Sequence, residues 1–251
     1  FKGRMNPNLP GSVFIGGNSR INGGGGFFEP EYEPLAINSP EEGLKNSKLR
    51  GMNQEEFDDR LELARKFDAD FHETYNVKKV RAYTQMYDDA VRIMQSRDLA
   101  AFNLKEEDET TRQRYGDNSF GQGCLLARRL IENDVRAVEV SYGGWDMHNN
   151  VFVSAPERCG VLDQGMAALL DDLERRGRLE STVVVLTTEF GRTPRINANG
   201  GRDHHSACFS AMLAGGPIVG GQVWGASDDK GVAPAENLTE QIDFNATIAK
   251  A

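Results

Sequence analysis

Thr182–His205 reads TVVVLTTEFGRTPRINANGGRDHH: an aliphatic run, a carboxylate just past its end, and two adjacent histidines beyond a glycine-rich loop. Val183, Val184, Val185 and Leu186 are apolar at every position, so both faces of the strand they form need cover. That is the pattern of a central parallel strand between helices, since a half-exposed antiparallel strand would alternate. Working outward, helix and strand take turns: a helix over Phe120–Glu132, a strand over Val135–Tyr142, a helix over Pro156–Arg176, the strand Thr182–Thr187, and another at Cys208–Leu213. In the long helix Val161, Leu162, Met166, Leu169, Leu170 and Leu173 form one apolar stripe, with Ser154 as N-cap and Gly177 as the left-handed stop. The alternation predicts an α/β fold, a doubly wound, mostly parallel sheet with helices on both faces. Gly220-Gly221, between Ile218 and Val223-Trp224, reads as a turn joining short strands, and a helix starts near Leu238.

Toward the N-terminus the pattern is weaker. Val13-Phe14-Ile15 is a compact strand, followed by Asn22–Phe28, NGGGGFF, and by Pro30, Pro34 and Pro40 among acidic residues, read as a long surface excursion. From Asn53 to Leu104 the periodicity turns helical, through Phe57, Leu61, Leu63, Ala64 and Phe67 and then Val80, Tyr83, Met86, Tyr87, Ala90, Val91 and Met94. Two amphipathic helices, each burying one stripe, are expected, with His72 between them as a surface or capping residue. The loop-rich and helical segment 22–115 reads as an insertion in a single domain spanning 1–251.

Composition narrows the function classes. Hydrophobic residues are 39% and charged residues 27% of 251, ordinary for a globular chain. No run approaches the roughly 20 apolar residues of a membrane span. A formal net charge of -9 argues against a general binder of nucleic-acid backbone, which needs clustered Lys and Arg. Three cysteines, Cys124, Cys159 and Cys208, stand far apart without a CxxC pair and read as buried free thiols. Cys124 sits in a helix and Cys208 opens a strand.

Asp146 and His148 follow directly on the strand ending at Tyr142, past the turn-permitting Gly143 and Gly144. Glu189 holds the equivalent place after the next strand, and Asp203-His204-His205 comes a short loop later. Carboxylates and imidazoles at successive strand ends are the material of a divalent-cation site. The mixed set suits zinc or manganese, whereas magnesium or calcium would favour oxygens alone. Arg192, Thr193 and Arg195 add donors that suit an oxyanion. Structural roles compete with these: a turn for Asp146, and an ion pair with Arg192 or Arg195 for Glu189.

Tyr115–His148 (YGDNSFGQGCLLARRLIENDVRAVEVSYGGWDMH), Leu162–Gly177, Val183–His205 and Ala214–Asp228 (AGGPIVGGQVWGASD) together resemble the DUF1501 family, with GWDxH, EFGRTP and GRDH in that order as the specific set. That family in turn resembles the alkaline phosphatase and sulfatase superfamily, which implies an α/β fold with a two-metal site. By position, Asp146 and His148 match the Asp and His of the first metal, although the usual spacing between them is longer, and His204 matches the late histidine that completes it. Glu189 stands where an Asp would serve a second metal, and Phe190 stands where that metal's His would be. The superfamily's opening strand, with an Asp and then a Ser, Thr or Cys nucleophile, has no counterpart after Phe1, and the resemblance implies that it lies upstream. Members often carry twin-arginine export signals, which implies a periplasmic or otherwise exported protein.

The expectation is therefore a metal-dependent hydrolase of phosphate or sulfate esters acting on a small anionic substrate. Asp146, His148, Glu189 and His204 would be the metal ligands, Arg192 would stabilise the anion, and Asp203 would orient a histidine. Two alternatives stand beside it: an exported, non-catalytic binding or scaffold protein that keeps the fold, favoured by Phe190, and a metal-assisted hydrolase of another bond such as an amide.

Overall fold

The computed structural model describes residues 4–16, 32–75 and 77–251, and the Asn22–Phe28 run lies outside them. The chain divides into two compact units, Phe1–Tyr142 and Gly143–Ala251. It is a mixed α/β protein.

The first unit is built on a small parallel sheet. Strand β1 (Ser12–Ile15) is central, flanked by β2 (Leu35–Ile37), in the order β2-β1-β3, where β3 is Ala137–Val140. Val13, Phe14 and Ile15 are all buried, as the apolar run requires. β3 is shorter than the expected Val135–Tyr142 strand, because Val135 is still tied to the preceding helix through its amide on the Leu130 carbonyl.

That helix, α4 (Ser119–Glu132), starts where Asn118 caps it, its side chain accepting from the Gly121 amide at 2.8 Å. α4 lies close on the sheet because Gly123 has no side chain. A Cβ there would stand 2.9 Å from Val140 Cγ1 and 3.3 Å from Ile15 Cγ2. Leu125, Leu126 and Leu130 are fully buried, and Arg128, also buried, donates to Glu107 at 2.6 Å and Glu132 at 2.7 Å. Leu125→Ala is expected to cost about 2–5 kcal/mol, read as a lowered denaturation midpoint, because the packed helix cannot collapse into the space.

Cys124 on the same face is buried, and burial pushes its thiol up to about 12, whereas Cys159 is exposed. A thiol reagent on the native protein at neutral pH is expected to label Cys159 and leave Cys124 untouched until the protein unfolds. Labelling of Cys124 at the rate of a free thiol would contradict this packing.

Helix α1 (Gln54–Thr74) begins where its sequence says: Asn53 Oδ1 accepts from Glu56 N at 2.9 Å and Glu56 Oε2 accepts from Asn53 N at 3.0 Å. His72 falls inside α1, not between the helices. Helix α2 is Lys78–Gln95, and a short α3 (Glu109–Tyr115) leads into α4. Among the described residues of the expected stripe, Val91 near the end of α2 is buried, as is its neighbour Ile93. Leu63 and Phe67 of α1 stay 54% and 73% exposed, so periodicity gave the helix but not its cover.

The second unit departs further from expectation. Helix α5 runs Val151–Arg175, five residues earlier than read, and Ser154 lies inside it. Its start is set by tertiary bonds: the Asn150 amide donates to Asn199 O and the Val151 amide to Gly200 O, which satisfies two amides at the helix N-terminus where no side chain caps it. Pro156 is tolerated because the Phe152 carbonyl it leaves unpaired belongs to a residue 70% exposed to water. Gly177 takes the left-handed stop, φ 65.

Strand β4 (Val184–Leu186) is not a parallel strand within a larger sheet. Among the described residues it pairs only with β7 (Met212–Ala214), and antiparallel. A parallel partner needs a crossover helix, and the segment between β4 and β7 contains none; it folds into a tight ladder, β5 (Gly191–Arg192) against β6 (His204–His205). Cys208 precedes β7 and does not open it. Gly220-Gly221 joins no strands; the last pair is β8 (Ala226–Ser227) with β9 (Pro234–Glu236), before helix α6 (Gln241–Lys250). No helix among the described residues is long and apolar enough to cross a membrane.

Candidate metal centre

Every residue of the site lies in the second unit. On the β5–β6 ladder Arg192 and His204 are direct partners and share a face, while Gly191 and His205 share the other. On the first face, His204 Nε2 meets Asp146 Oδ1 at 2.9 Å, Arg192 Nη2 donates to the same oxygen at 2.6 Å, and Phe190 lies ring to ring with His204 at 4.6 Å. On the second face, His205 Nε2 donates to the Val232 carbonyl at 2.6 Å, a structural contact. The pleat therefore separates two adjacent histidines into two tasks.

Asp146 and His148 come from the turn before α5. That turn is stitched to the glycine loop: Arg202 N donates to Met147 O at 3.0 Å, and Asn149 bridges Gly200. His148 Nε2 stands 3.0 Å from Asp146 Oδ1 and 3.1 Å from His204 Nε2. Asp146, His148 and His204 thus present one oxygen and two nitrogens to a common point. Behind them, His148 Nδ1 donates to Asp203 Oδ1 at 2.9 Å.

Electrostatics favour a cation here. With neutral imidazoles, Asp146 and Asp203 outweigh Arg192, so the cluster is net negative. Asp146 is held down to about 2, by the His204 hydrogen bond first and Arg192 next, and Asp203 is lowered by His148 and then Asn197. Both are therefore carboxylates at neutral pH. Asp203, as an acceptor only, requires the proton on His148 Nδ1 and leaves a lone pair on Nε2 of the neutral ring. That lone pair points at a carboxylate oxygen already approached by two other nitrogens, an arrangement that a shared cation resolves. The donor set, two imidazoles and a carboxylate, fits a divalent transition ion better than magnesium or calcium.

Of the residues that the sequence singled out, the structure gathers Asp146, His148 and His204, with Asp203 against His148 and Arg192 against Asp146. Glu189, expected as a fourth metal ligand, stands outside this group: it is exposed and makes no hydrogen bond or ion pair among the described residues, so the competing pairing with Arg192 or Arg195 is not formed either. Arg192 crosses to Asp146, with its guanidinium carbon 5.8 Å over the Phe190 ring. Sequence reading missed Asn197, whose side chain bonds both Asp203 and the His148 carbonyl. The Asn-x-Asn-Gly-Gly spelling of the loop was the available signal, since Asn is the residue that most often ties such a loop to itself.

A family model described as "Protein of unknown function (DUF1501)" matches residues 2–251. The chain belongs to the DUF1501 family. No curated protein and no solved structure matches it. The site geometry of this DUF1501 protein therefore carries the functional reading.

Proposed function

We propose that this DUF1501 protein is a metal-dependent hydrolase of phosphate or sulfate esters, with zinc or manganese held by Asp146, His148 and His204. The observation that carries the reading is the mutual approach of the three donor atoms, 2.9, 3.0 and 3.1 Å apart, backed by Asp203 on the far side of His148. When bound, such an ion polarises an ester oxygen and lowers the pKa of bound water. The chain supplies the rest. Arg192, fixed on Asp146, keeps a guanidinium beside the triad where an anionic substrate would be held. Asp203 holds His148 in the tautomer that faces the ion, and Phe190 covers one side of His204. The resemblance to the alkaline phosphatase and sulfatase superfamily supports the ester class and extends the parallel sheet to a doubly wound fold. The same resemblance supports an exported location.

Two observations favour the second reading, an exported binding or scaffold protein without turnover. Phe190, a side chain that cannot ligate, packs on His204 where a second-metal histidine would stand, and Glu189 lies outside the triad.

Elemental analysis and calorimetric titration with zinc and manganese, followed by assay on aryl phosphates and aryl sulfates with and without metal, decide between them. Stoichiometric metal with metal-dependent turnover supports the hydrolase. Metal without turnover supports the binding role, and no metal ends the hydrolase reading. Glu189→Ala is expected to leave zinc affinity unchanged in the same titration, whereas His204→Ala abolishes tight uptake.

A further inference from the structure

Asn197 makes four hydrogen bonds with one side chain. Its Oδ1 accepts from Asn199 N at 2.9 Å and Gly201 N at 3.0 Å, and its Nδ2 donates to His148 O and to Asp203 Oδ1, each at 3.0 Å. The partners fix the amide's orientation, since two are backbone donors and two can only accept at neutral pH. The capacity of the group is fully used. Its own backbone joins in: the Asn197 amide donates to Gly201 O and the Gly200 amide to Asn197 O.

The two ends of this amide have separate jobs. The oxygen closes the Asn197–Gly201 loop on itself, much as an Asx turn does. The nitrogen reaches out of the loop to both the main chain of His148 and the carboxylate that orients its ring. The same Asp203 Oδ1 receives His148 Nδ1–H at 2.9 Å, so the Asn197 donor and the His148 donor share one acceptor.

We infer that Asn197 is the positioning residue of the metal centre, setting the rotamer of Asp203 and through it the ring tautomer and direction of His148. The inference rests on the cation-site reading but names a property that the metal-free protein also has. Asn197 lies outside the donor triad. It acts through Asp203 and through the His148 backbone, which holds the ring at both ends.

Asn197→Asp separates the two jobs. It keeps an acceptor for Asn199 N and Gly201 N, and it replaces the donor with a carboxylate set against Asp203. Two readouts are taken on wild type and variant: the imidazole nitrogen shifts of His148 in metal-free, 15N-histidine-labelled protein, and zinc affinity by calorimetry. Expected are a fixed Nδ1–H tautomer in the wild type, its loss in Asn197→Asp, and zinc binding weakened about tenfold, as for other partners outside the ligand set. Asn197→Ala, which also opens the loop, loses at least as much. A purely loop-closing role would leave Asn197→Asp with the wild-type tautomer and affinity, and that result overturns the inference. Absence of zinc binding by the wild type would sink the cation reading alone, and the nitrogen shifts would still decide the role of Asn197.

Discussion

Asp146→Asn is expected to abolish tight divalent-cation binding while leaving the thermal midpoint of the protein where it was. Asp146 Oδ1 is the vertex on which the site converges, with His204 Nε2 at 2.9 Å, His148 Nε2 at 3.0 Å and Arg192 Nη2 at 2.6 Å. The substitution keeps the shape of the side chain and removes its charge. Against Asp203 alone, Arg192 then balances the cluster, and the electrostatic preference for a cation is lost. An affinity loss beyond about a hundredfold is expected, because partners outside the ligand set already cost about 10–100-fold. Stability should hardly change, because the Asp146 side chain is 65% exposed and its ion pair with Arg192 is screened by water. Calorimetric titration alongside a melting curve checks both halves. Wild-type affinity in Asp146→Asn would show that this carboxylate ligates nothing.

The same carboxylate fixes how acid acts on the site. Its folded pKa lies below the ordinary 3.8, at about 2, so the ionised form is the one the fold favours. The stabilisation it contributes is complete above the ordinary value and is lost as pH falls through about 2.

Legibility in the sequence followed the range of the forces involved. Local signals were read well: the helical pattern from Asn53, the helix over Phe120–Glu132 and the strand at Val13–Ile15 all form, because each depends on a few neighbouring residues. Where tertiary bonds replaced local ones, the reading failed. α5 begins at Val151 because the backbone of Asn199 and Gly200 takes its first donors, which nothing near Ser154 could reveal. The apolar run Val183–Leu186 gave a strand correctly, but its partner is chosen by the chain that follows, and that chain turns back without a helix. The triad was legible because three polar residues at element ends need only approximate placement to be noticed. The ion pair of Arg192 was not, since a guanidinium three residues from Glu189 and far along the chain from Asp146 offers no sequence clue to its choice.

Gly201→Ala should be the most damaging single methyl in the second unit. A Cβ at Gly201 would overlap the carbonyl carbon and oxygen of His148 and the amide nitrogen of Asn149, all backbone atoms with no rotamer to yield. The glycine is thus needed for close approach. That approach is what lets Arg202 N reach Met147 O at 3.0 Å and Asn197 Nδ2 reach His148 O at 3.0 Å. Relief of the overlap must part the loop from the turn that carries Asp146 and His148, while His204 stays on β6 with Arg192. Overpacking of this kind costs about 1–3 kcal/mol even where side chains can adjust, and here none can. Metal binding is expected to fall by more than about a hundredfold, exceeding the loss from any one partner outside the ligand set. The contrast that identifies the cause is Gly220→Ala, where a Cβ would meet nothing within 4 Å and which should bind metal as the wild type does. If Gly201→Ala also binds normally, the glycine loop does not hold His148 in place, and the close contact has no bearing on the site.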